Sequence, residues 1–151
     1  MKVTRSMGTG ALAMLVLVLF LPSSASADLE ARLLSDTNPG PSSSNSNQFT
    51  GLAGHVYAQA RGDIKGEELW RVDSPATLVK DINPGEFPSG PGSFTEFNGF
   101  LYFSATTDTS GTELWRTNGT TTEMVKEIRP GPTSSDPGGF AVLQNLSLIH
   151  I

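Results

Sequence analysis

Two acidic turns contain the residues of this chain whose types and spacing are suited to chemistry. In each turn an aspartate is followed three residues later by a glycine, and two residues after that by the glutamate of a Glu-Leu-Trp tripeptide. Calcium takes about 6 to 8 oxygen ligands, and carboxylates and backbone carbonyls in a tight turn can supply them. The candidate calcium ligands are Asp63, Glu68, Asp108 and Glu113.

The same turns have a structural interpretation, which we favour. An aspartate in a turn caps its own backbone, and glycine adopts dihedral angles that other residues avoid. Two carboxylates per turn also fall short of the about 6 to 8 oxygens that calcium takes. We therefore expect no cofactor and no resident metal, with calcium as the alternative.

The usual parts of a nucleophilic enzyme are missing from the sequence. Cysteine is absent, and the two histidines are His55, within an expected strand, and His150, among the last residues. A Ser/His/Asp or Cys/His system therefore has no credible parts. A two-carboxylate hydrolase stays open in principle. However, Glu68 and Glu113 recur with the scaffold, which is typical of structural positions, so we expect a protein that is not an enzyme.

Four aromatic residues have two alternative roles. Tyr57, Trp70, Tyr102 and Trp115 lie in expected strands, where they could form a platform on which sugars stack. Large aromatic side chains in strands mostly supply buried area. We therefore expect the two tryptophans to be core residues between neighbouring sheets.

The charge of the chain argues against one class of partner. Lys and Arg number 10 against 15 Asp and Glu, which gives a net charge of -5. An acidic chain repels phosphate backbones, so nucleic-acid binding is not expected.

Residues 1–27 have the pattern of a signal peptide. Lys2 and Arg5 precede an apolar run at residues 11–21, and the segment ends in Ala-Ser-Ala. A run of 11 residues is shorter than the roughly 20 that a membrane-spanning helix needs. We expect cleavage after Ala27, a secreted or cell-surface protein, and no membrane span after cleavage; an uncleaved membrane anchor is the alternative.

The remainder of the chain contains a sequence repeat. Glu-Leu-Trp at residues 68–70 recurs 45 residues later at 113–115, and Asn-Pro-Gly at 83–85 recurs 46 residues later as Arg-Pro-Gly. A period in the mid-forties with strand-like content is typical of propeller arrays. The expected fold class is all-β, an incomplete β-propeller of four-stranded antiparallel blades. The expected divisions are a leading segment and loop (28–47), a degenerate first blade and linker (48–92), a second blade and linker (93–138) and the start of a third (139–151).

The second repeat shows the expected strands most clearly. They lie at residues 93–97, 100–105, 112–117 and 123–128, and the fourth has a counterpart at 78–82. Asn98-Gly99 predicts a type I′ hairpin, because both turn positions need positive φ. Asn118-Gly119 closes the next hairpin, and Asn83-Pro84-Gly85 fits a type II turn. The charged residues of the fourth strand suit the edge of a sheet.

The Leu-Trp dipeptides indicate that both faces of each sheet are covered. Leu69 and Trp70, like Leu114 and Trp115, must point to opposite faces because side chains alternate along a strand. Sheets that are stacked as blades provide this cover, whereas a single open sheet does not.

Three motifs resemble those of the secreted bacterial repeat proteins named for ELWxxDGT. Residues 113–120 read ELWRTNGT, with Asn for the usual Asp, 78–85 read LVKDINPG and 98–105 read NGFLYFSA. The first repeat departs from the pattern, since Ala53-Gly54 replaces Asn-Gly and residues 71–75 lack the Asx-Gly turn. The resemblance implies a long, propeller-forming extracellular protein and carries over no catalytic residues or substrate.

The final residues do not follow the repeat. Residues 146–151 read LSLIHI, where the second repeat predicts a strand like FLYFSA, and they match the translation of a transposon-derived sequencing adapter. We therefore expect the natural protein to continue; a genuine apolar strand is the alternative, since the pattern passes as one.

The expected function is that of a secreted or cell-surface scaffold whose partner is an extracellular protein or a glycan. The alternative is the N-terminal fragment of a secreted propeller hydrolase whose active site lies in blades beyond this sequence.

Overall fold

The computed structural model describes residues 37–38, 42–143 and 146–150. All regular structure in these residues is β, and none of them is helical, as the sequence predicts. The expected signal peptide at residues 1–27 lies outside the described residues. Within the described ranges there is no helix long and apolar enough to cross a membrane.

Two sheets of four antiparallel strands each make up most of the structure, with strands in sequence order. The first sheet contains β1 (Asn47–Leu52), β2 (His55–Arg61), β3 (Glu67–Arg71) and β4 (Thr77–Lys80). The second sheet contains β5 (Gly92–Phe97), β6 (Phe100–Thr107), β7 (Gly111–Thr117) and β8 (Thr122–Lys126). The third sheet pairs β9 (Gly138–Leu143) with β10 (Leu146–His150).

The β5–β6 turn confirms the predicted hairpin. Asn98 and Gly99 have φ values of 52° and 78°, and Phe97 pairs with Phe100 across the turn. Ala53 and Gly54 adopt nearly the same angles, 51° and 80°, between β1 and β2. The first sheet therefore keeps the same turn, although it places an alanine in the left-handed region that disfavours a Cβ.

The first strand of each four-stranded sheet contains a matching bulge. The register shifts between Asn47 and Thr50 in β1 and between Gly92 and Thr95 in β5. Gln48 and Ser93, which are 45 residues apart, both have φ of 57°. A bulge inserts one residue and bends the strand, so the two strands bend at equivalent positions.

The fourth strands end earlier than the sequence predicts. β4 stops at Lys80 and β8 at Lys126, whereas the expected strands extended to Ile82 and Ile128. The prediction was wrong at this end because the N–H groups of Ile82 and Ile128 donate to glutamate carboxylates, which removes them from the strand ladder. β4 and β8 do lie at sheet edges, as their charges predict.

The loops after the third strands differ between the sheets. In the second sheet the Asn118 side-chain oxygen accepts hydrogen bonds from the N–H groups of Thr120 and Thr121, at 2.9 and 2.7 Å, and Gly119 has φ of 88°. These contacts form an Asx turn that closes the β7–β8 hairpin. The corresponding loop of the first sheet contains a cis Ser74-Pro75 bond. After β4, Gly85 has φ of 118°, a positive value of the kind that the predicted turn requires.

The main core lies where the first and second sheets face each other. Tyr57 and Leu69 of the first sheet belong to one cluster with Leu101, Phe103 and Trp115 of the second. Leu114 is also buried, although it points to the opposite face from Trp115. Both side chains of the Leu114-Trp115 dipeptide are therefore buried, as predicted, whereas Trp70 of the first sheet is only partly buried.

The first strands of the three sheets are neighbours. β5 lies beside β1 on one side and beside β9 on the other. β10 pairs antiparallel with β9, so the backbone of residues 146–150 forms the strand that the repeat requires at this place. The origin of these residues stays a prediction.

Candidate functional site

The two repeated glutamates lie in the protein interior. Glu68 on β3 and Glu113 on β7 are both 0 % exposed. Each lies opposite an alanine of the second strand, Ala60 or Ala105. Because a buried carboxylate is costly unless it is hydrogen-bonded, its partners reveal its role.

Glu113 binds the chain segment that follows its own sheet. One carboxylate oxygen accepts hydrogen bonds from the N–H of Ile128 at 2.9 Å and from the hydroxyl of Ser135 at 2.8 Å. The other oxygen accepts one from the N–H of Arg129 at 3.2 Å. The carboxylate thus joins the third strand to the residues after the fourth strand and to the linker.

Glu68 makes the equivalent contacts in the first sheet. Its carboxylate accepts hydrogen bonds from the N–H of Ile82 at 2.9 Å, and from the hydroxyl and N–H of Ser89 at 2.6 and 3.1 Å. Burial raises the pKa of the Glu68 carboxyl, and the hydrogen bonds from Ser89, Ile82 and Asn83 act in the opposite direction without cancelling that effect. The charged form is therefore disfavoured despite its donors.

Each linker also packs directly on the glycine of its acidic turn. Gly66 and Gly111 have φ of 52° and 62°, and a Cβ at either position would lie 2.8 Å from linker backbone atoms. At Gly111 the nearest of these atoms is the nitrogen of Ser134. Glycine is thus required both for its dihedral angle and for the close approach. Together, the glycine and the glutamate fasten the linker to the sheet.

The aspartates of the acidic turns have other positions. Asp63 and Asp108 are both exposed. The backbone N–H of Asp108 donates to the side-chain oxygen of Asn83 at 3.1 Å, and its carboxylate accepts from the Asn83 amide at 3.3 Å. Asn83 is buried and follows the first sheet. Asp108 therefore links the second sheet to the Asn-Pro-Gly turn, a contact that sequence reasoning missed because the two residues are 25 apart.

These contacts leave little room for a cation at the glutamates. The oxygens of Glu68 and Glu113 are engaged by N–H and O–H donors that a cation would have to displace. Nowhere in the described part of the chain do three or more His, Asp or Glu side chains gather to hold a metal. Calcium binding stays a prediction.

Two of the four aromatic residues lie in the main core and two are only partly buried. Trp115 is 7 % exposed and Tyr57 1 %, and both belong to the main core; Trp70 is half-buried. The indole nitrogens of both tryptophans are buried without a hydrogen-bond partner, although a buried indole N–H usually has one. Tyr102 is half-buried and lies outside this core.

Tyr102 belongs to an aromatic cluster that the sequence did not single out. Its ring centroid lies 6.4 Å from that of Phe97 and 6.3 Å from that of Phe100. The guanidinium of Arg116 lies 4.6 Å from the Phe100 ring centroid and donates to Glu123 at 2.6 Å. The hydrogen bonds with Glu123 and Tyr102 raise the pKa of Arg116. All the aromatic rings of this cluster are partly accessible.

Tyr57 contacts the opposite sheet. A Cβ on Gly119 would lie 2.5 Å from the Tyr57 hydroxyl oxygen, so the β7–β8 loop covers this tyrosine closely. Burial is the main cause that raises the Tyr57 pKa, the nearby Asp73 acts in the same direction, and Arg71 opposes them. Tyr57 and Gly119 therefore mark the contact between the two sheets.

Known proteins offer no direct guide to this chain. No protein-family model, curated protein or solved structure matches it. Its function has to be inferred from its own residues and contacts.

Proposed function

We propose that this chain is part of a secreted or cell-surface repeat protein whose four-stranded sheets are successive blades of a β-propeller, and that it acts as a binding scaffold. The observation that carries the proposal is the recurrence of one contact. Glu68 and Glu113, 45 residues apart, bind the second residue after the fourth strand and a linker serine in the same way.

The placement of the sheets supports the propeller arrangement. One face of the first sheet packs on one face of the second, and β1, β5 and β9 are neighbours. In a propeller, blades stack face to face and their first strands surround a central axis. The resemblance to ELWxxDGT-repeat proteins supports an extracellular location.

The roles of the repeated residues support a scaffold over an enzyme. The repeated glutamates and glycines hold the linkers against the sheets, and Trp115 packs in the main core. A site for a partner is better sought among residues that do not repeat, since binding residues lie on loops held by a rigid scaffold.

Two exposed apolar side chains meet this description. Ile64 is 65 % exposed in the β2–β3 turn and Phe87 is 67 % exposed in the linker after the first sheet. The equivalent positions of the next repeat are Thr109 and Thr133. The two loops are adjacent, because Gly66 lies against the backbone of Phe87. An apolar pair on adjacent loops fits an extracellular protein partner.

The proposal is tested by expressing the chain with its own leader in a bacterium. We expect a product that begins at Asp28 outside the cytoplasm. We also expect it to be retained on immobilised surface proteins of the secreting cell without releasing cleavage products. Retention should be lost with Ile64→Ser and Phe87→Ser combined and kept with Val125→Ser, which alters an exposed residue elsewhere. A cytoplasmic product, or release of sugar or peptide products, would refute the proposal.

A further inference from the structure

A tyrosine–arginine pair occurs at the same place in both four-stranded sheets. Tyr57 lies opposite Arg71 between β2 and β3, and Tyr102 lies opposite Arg116 between β6 and β7. The two tyrosines are 45 residues apart, as are the two arginines. The pairs therefore mark equivalent faces of the two sheets.

The two faces are covered to different degrees. Tyr57 is 1 % exposed beneath the β7–β8 loop, whereas Tyr102 is partly exposed. Ile82, which follows the first sheet, is 4 % exposed, whereas its equivalent Ile128 is partly exposed. The second sheet thus leaves partly open the face that the first sheet buries.

Among the described residues, the third sheet covers part of this face with two strands, β9 and β10. β9 lies beside β5 as β5 lies beside β1, and Leu143 pairs with Leu146 as Phe97 pairs with Phe100. β9 and β10 therefore occupy the places of a first and a second strand. Among the described residues β10 pairs with β9 alone, so its other edge is open to a third strand.

We infer that the face of the second sheet around Tyr102 and Arg116 is a docking surface for the third strand and following loop of a further repeat. The strand carries Glu-Leu-Trp and pairs with the open edge of β10. Its loop carries a glycine that rests on the Tyr102 hydroxyl. The inference rests on the proposed function, because it treats the sheets as successive blades.

The required glycine follows from the contact already present between the first two sheets. Gly119 has φ of 88°, and a Cβ there would lie 2.5 Å from the Tyr57 hydroxyl oxygen. A loop of the further repeat that approaches the Tyr102 hydroxyl as closely has room only for a glycine at the contacting position. Addition of a strand to an open edge supplies main-chain hydrogen bonds, and the side-chain contacts provide the specificity.

A second copy of this chain does not fit the surface. Its own Gly119 is already covered by Tyr57, and the loop of its first sheet has Ser74 at the equivalent position. The occupant is therefore a further repeat that keeps the Asx-Gly loop.

The test uses a labelled synthetic peptide with the sequence of residues 111–131 and measures its binding to the purified chain by fluorescence anisotropy. We expect saturable binding. A matched peptide with Gly119→Ala should bind roughly tenfold more weakly, because the added methyl group overpacks the contact. Tyr102→Ala in the chain should weaken binding similarly, and Val125→Ala should leave it unchanged.

Three outcomes would overturn the inference: no saturable binding, equal binding of the two peptides, or sensitivity to Tyr57→Ala in place of Tyr102→Ala. The last outcome would indicate that the peptide replaces the chain's own β7. If the peptide test fails but a separate measurement verifies the contact between Tyr57 and Gly119, the inference is wrong and the proposed function stands. If the peptide test fails and that contact is also not found, both proposals are wrong.

Discussion

The carboxylate of Glu113 accepts a hydrogen bond from the hydroxyl of Ser135, 22 residues further along the chain, at an oxygen–oxygen distance of 2.8 Å. Glu68 and Ser89 form the same contact at 2.6 Å, and Ser89 lies 21 residues further along the chain. The linker backbones also bond to the third strands, since the N–H groups of Ser89 and Ser135 donate to the carbonyls of Glu67 and Thr112. The buried glutamate supplies a further acceptor, which helps to fix the point from which the next sheet starts.

Replacement of Glu113 by glutamine should destabilise the chain. The amide group presents an NH₂ to backbone N–H donors that now bond to oxygen, and a buried donor left unsatisfied costs about 1–3 kcal/mol. We expect the free energy of unfolding, measured by urea titration with tryptophan fluorescence, to fall by about that amount. The matched control is Glu86→Gln, which alters an exposed carboxylate and should change little. Equal effects of the two substitutions would contradict the role assigned to Glu113.

The contribution of Glu68 should depend on pH. Its folded-state pKa is raised above the ordinary value of 4.5, chiefly by burial. Stabilisation by the protonated carboxyl is therefore fully present below the unfolded-state pKa and is lost as the pH rises through the folded-state pKa. We expect the difference in unfolding free energy between the unaltered chain and Glu68→Gln to be largest near pH 4 and to shrink toward pH 8. A difference that grows with pH would show that the ionised carboxylate is the favoured form.

The β1–β2 turn offers a stabilising substitution. Ala53 has φ of 51°, where the equivalent Asn98 has 52°. A residue other than Gly, Asn or Asp in this region costs about 1–2 kcal/mol. Ala53→Asn should therefore raise the unfolding free energy, and Asn98→Ala should lower it, by about 1 kcal/mol each. Changes of the same sign in the two variants would show that the turns are not equivalent.

Local signals in the sequence predicted much of the fold. Asn98-Gly99 has the positive φ values of its hairpin, and the alternation along residues 100–105 correctly separates buried Leu101 and Phe103 from partly exposed Tyr102. These features depend on neighbouring residues alone. Even the eroded Ala53-Gly54 keeps the turn, because the strands on either side of it impose the geometry.

Contacts between distant residues were not predictable in the same way. Glu68 and Glu113 suggested a calcium turn or a capped turn, whereas their partners lie 14 to 22 residues further along the chain. The fourth strand was expected to reach Ile128 by periodicity, but that N–H donates to Glu113 instead. A repeated glutamate followed 21 or 22 residues later by a linker serine is the signal that could have revealed both.

The contact between Tyr57 and Gly119 tests most directly that the first two sheets are stacked as successive blades. Gly119→Ala adds a backbone penalty at φ of 88° and a clash across the two sheets, whereas Gly99→Ala, at 78° with open space around it, adds the backbone penalty alone. We expect Gly119→Ala to lower the unfolding free energy by more than Gly99→Ala, which should cost about 1 kcal/mol.

The decisive measurement is the double-mutant cycle in which each glycine variant is combined with Tyr57→Phe, which removes the hydroxyl. If the sheets are stacked, Tyr57→Phe should abolish most of the excess cost of Gly119→Ala and leave the cost of Gly99→Ala unchanged. Equal costs for the two glycine variants, or a Gly119→Ala cost that Tyr57→Phe does not alter, would contradict the stacked arrangement.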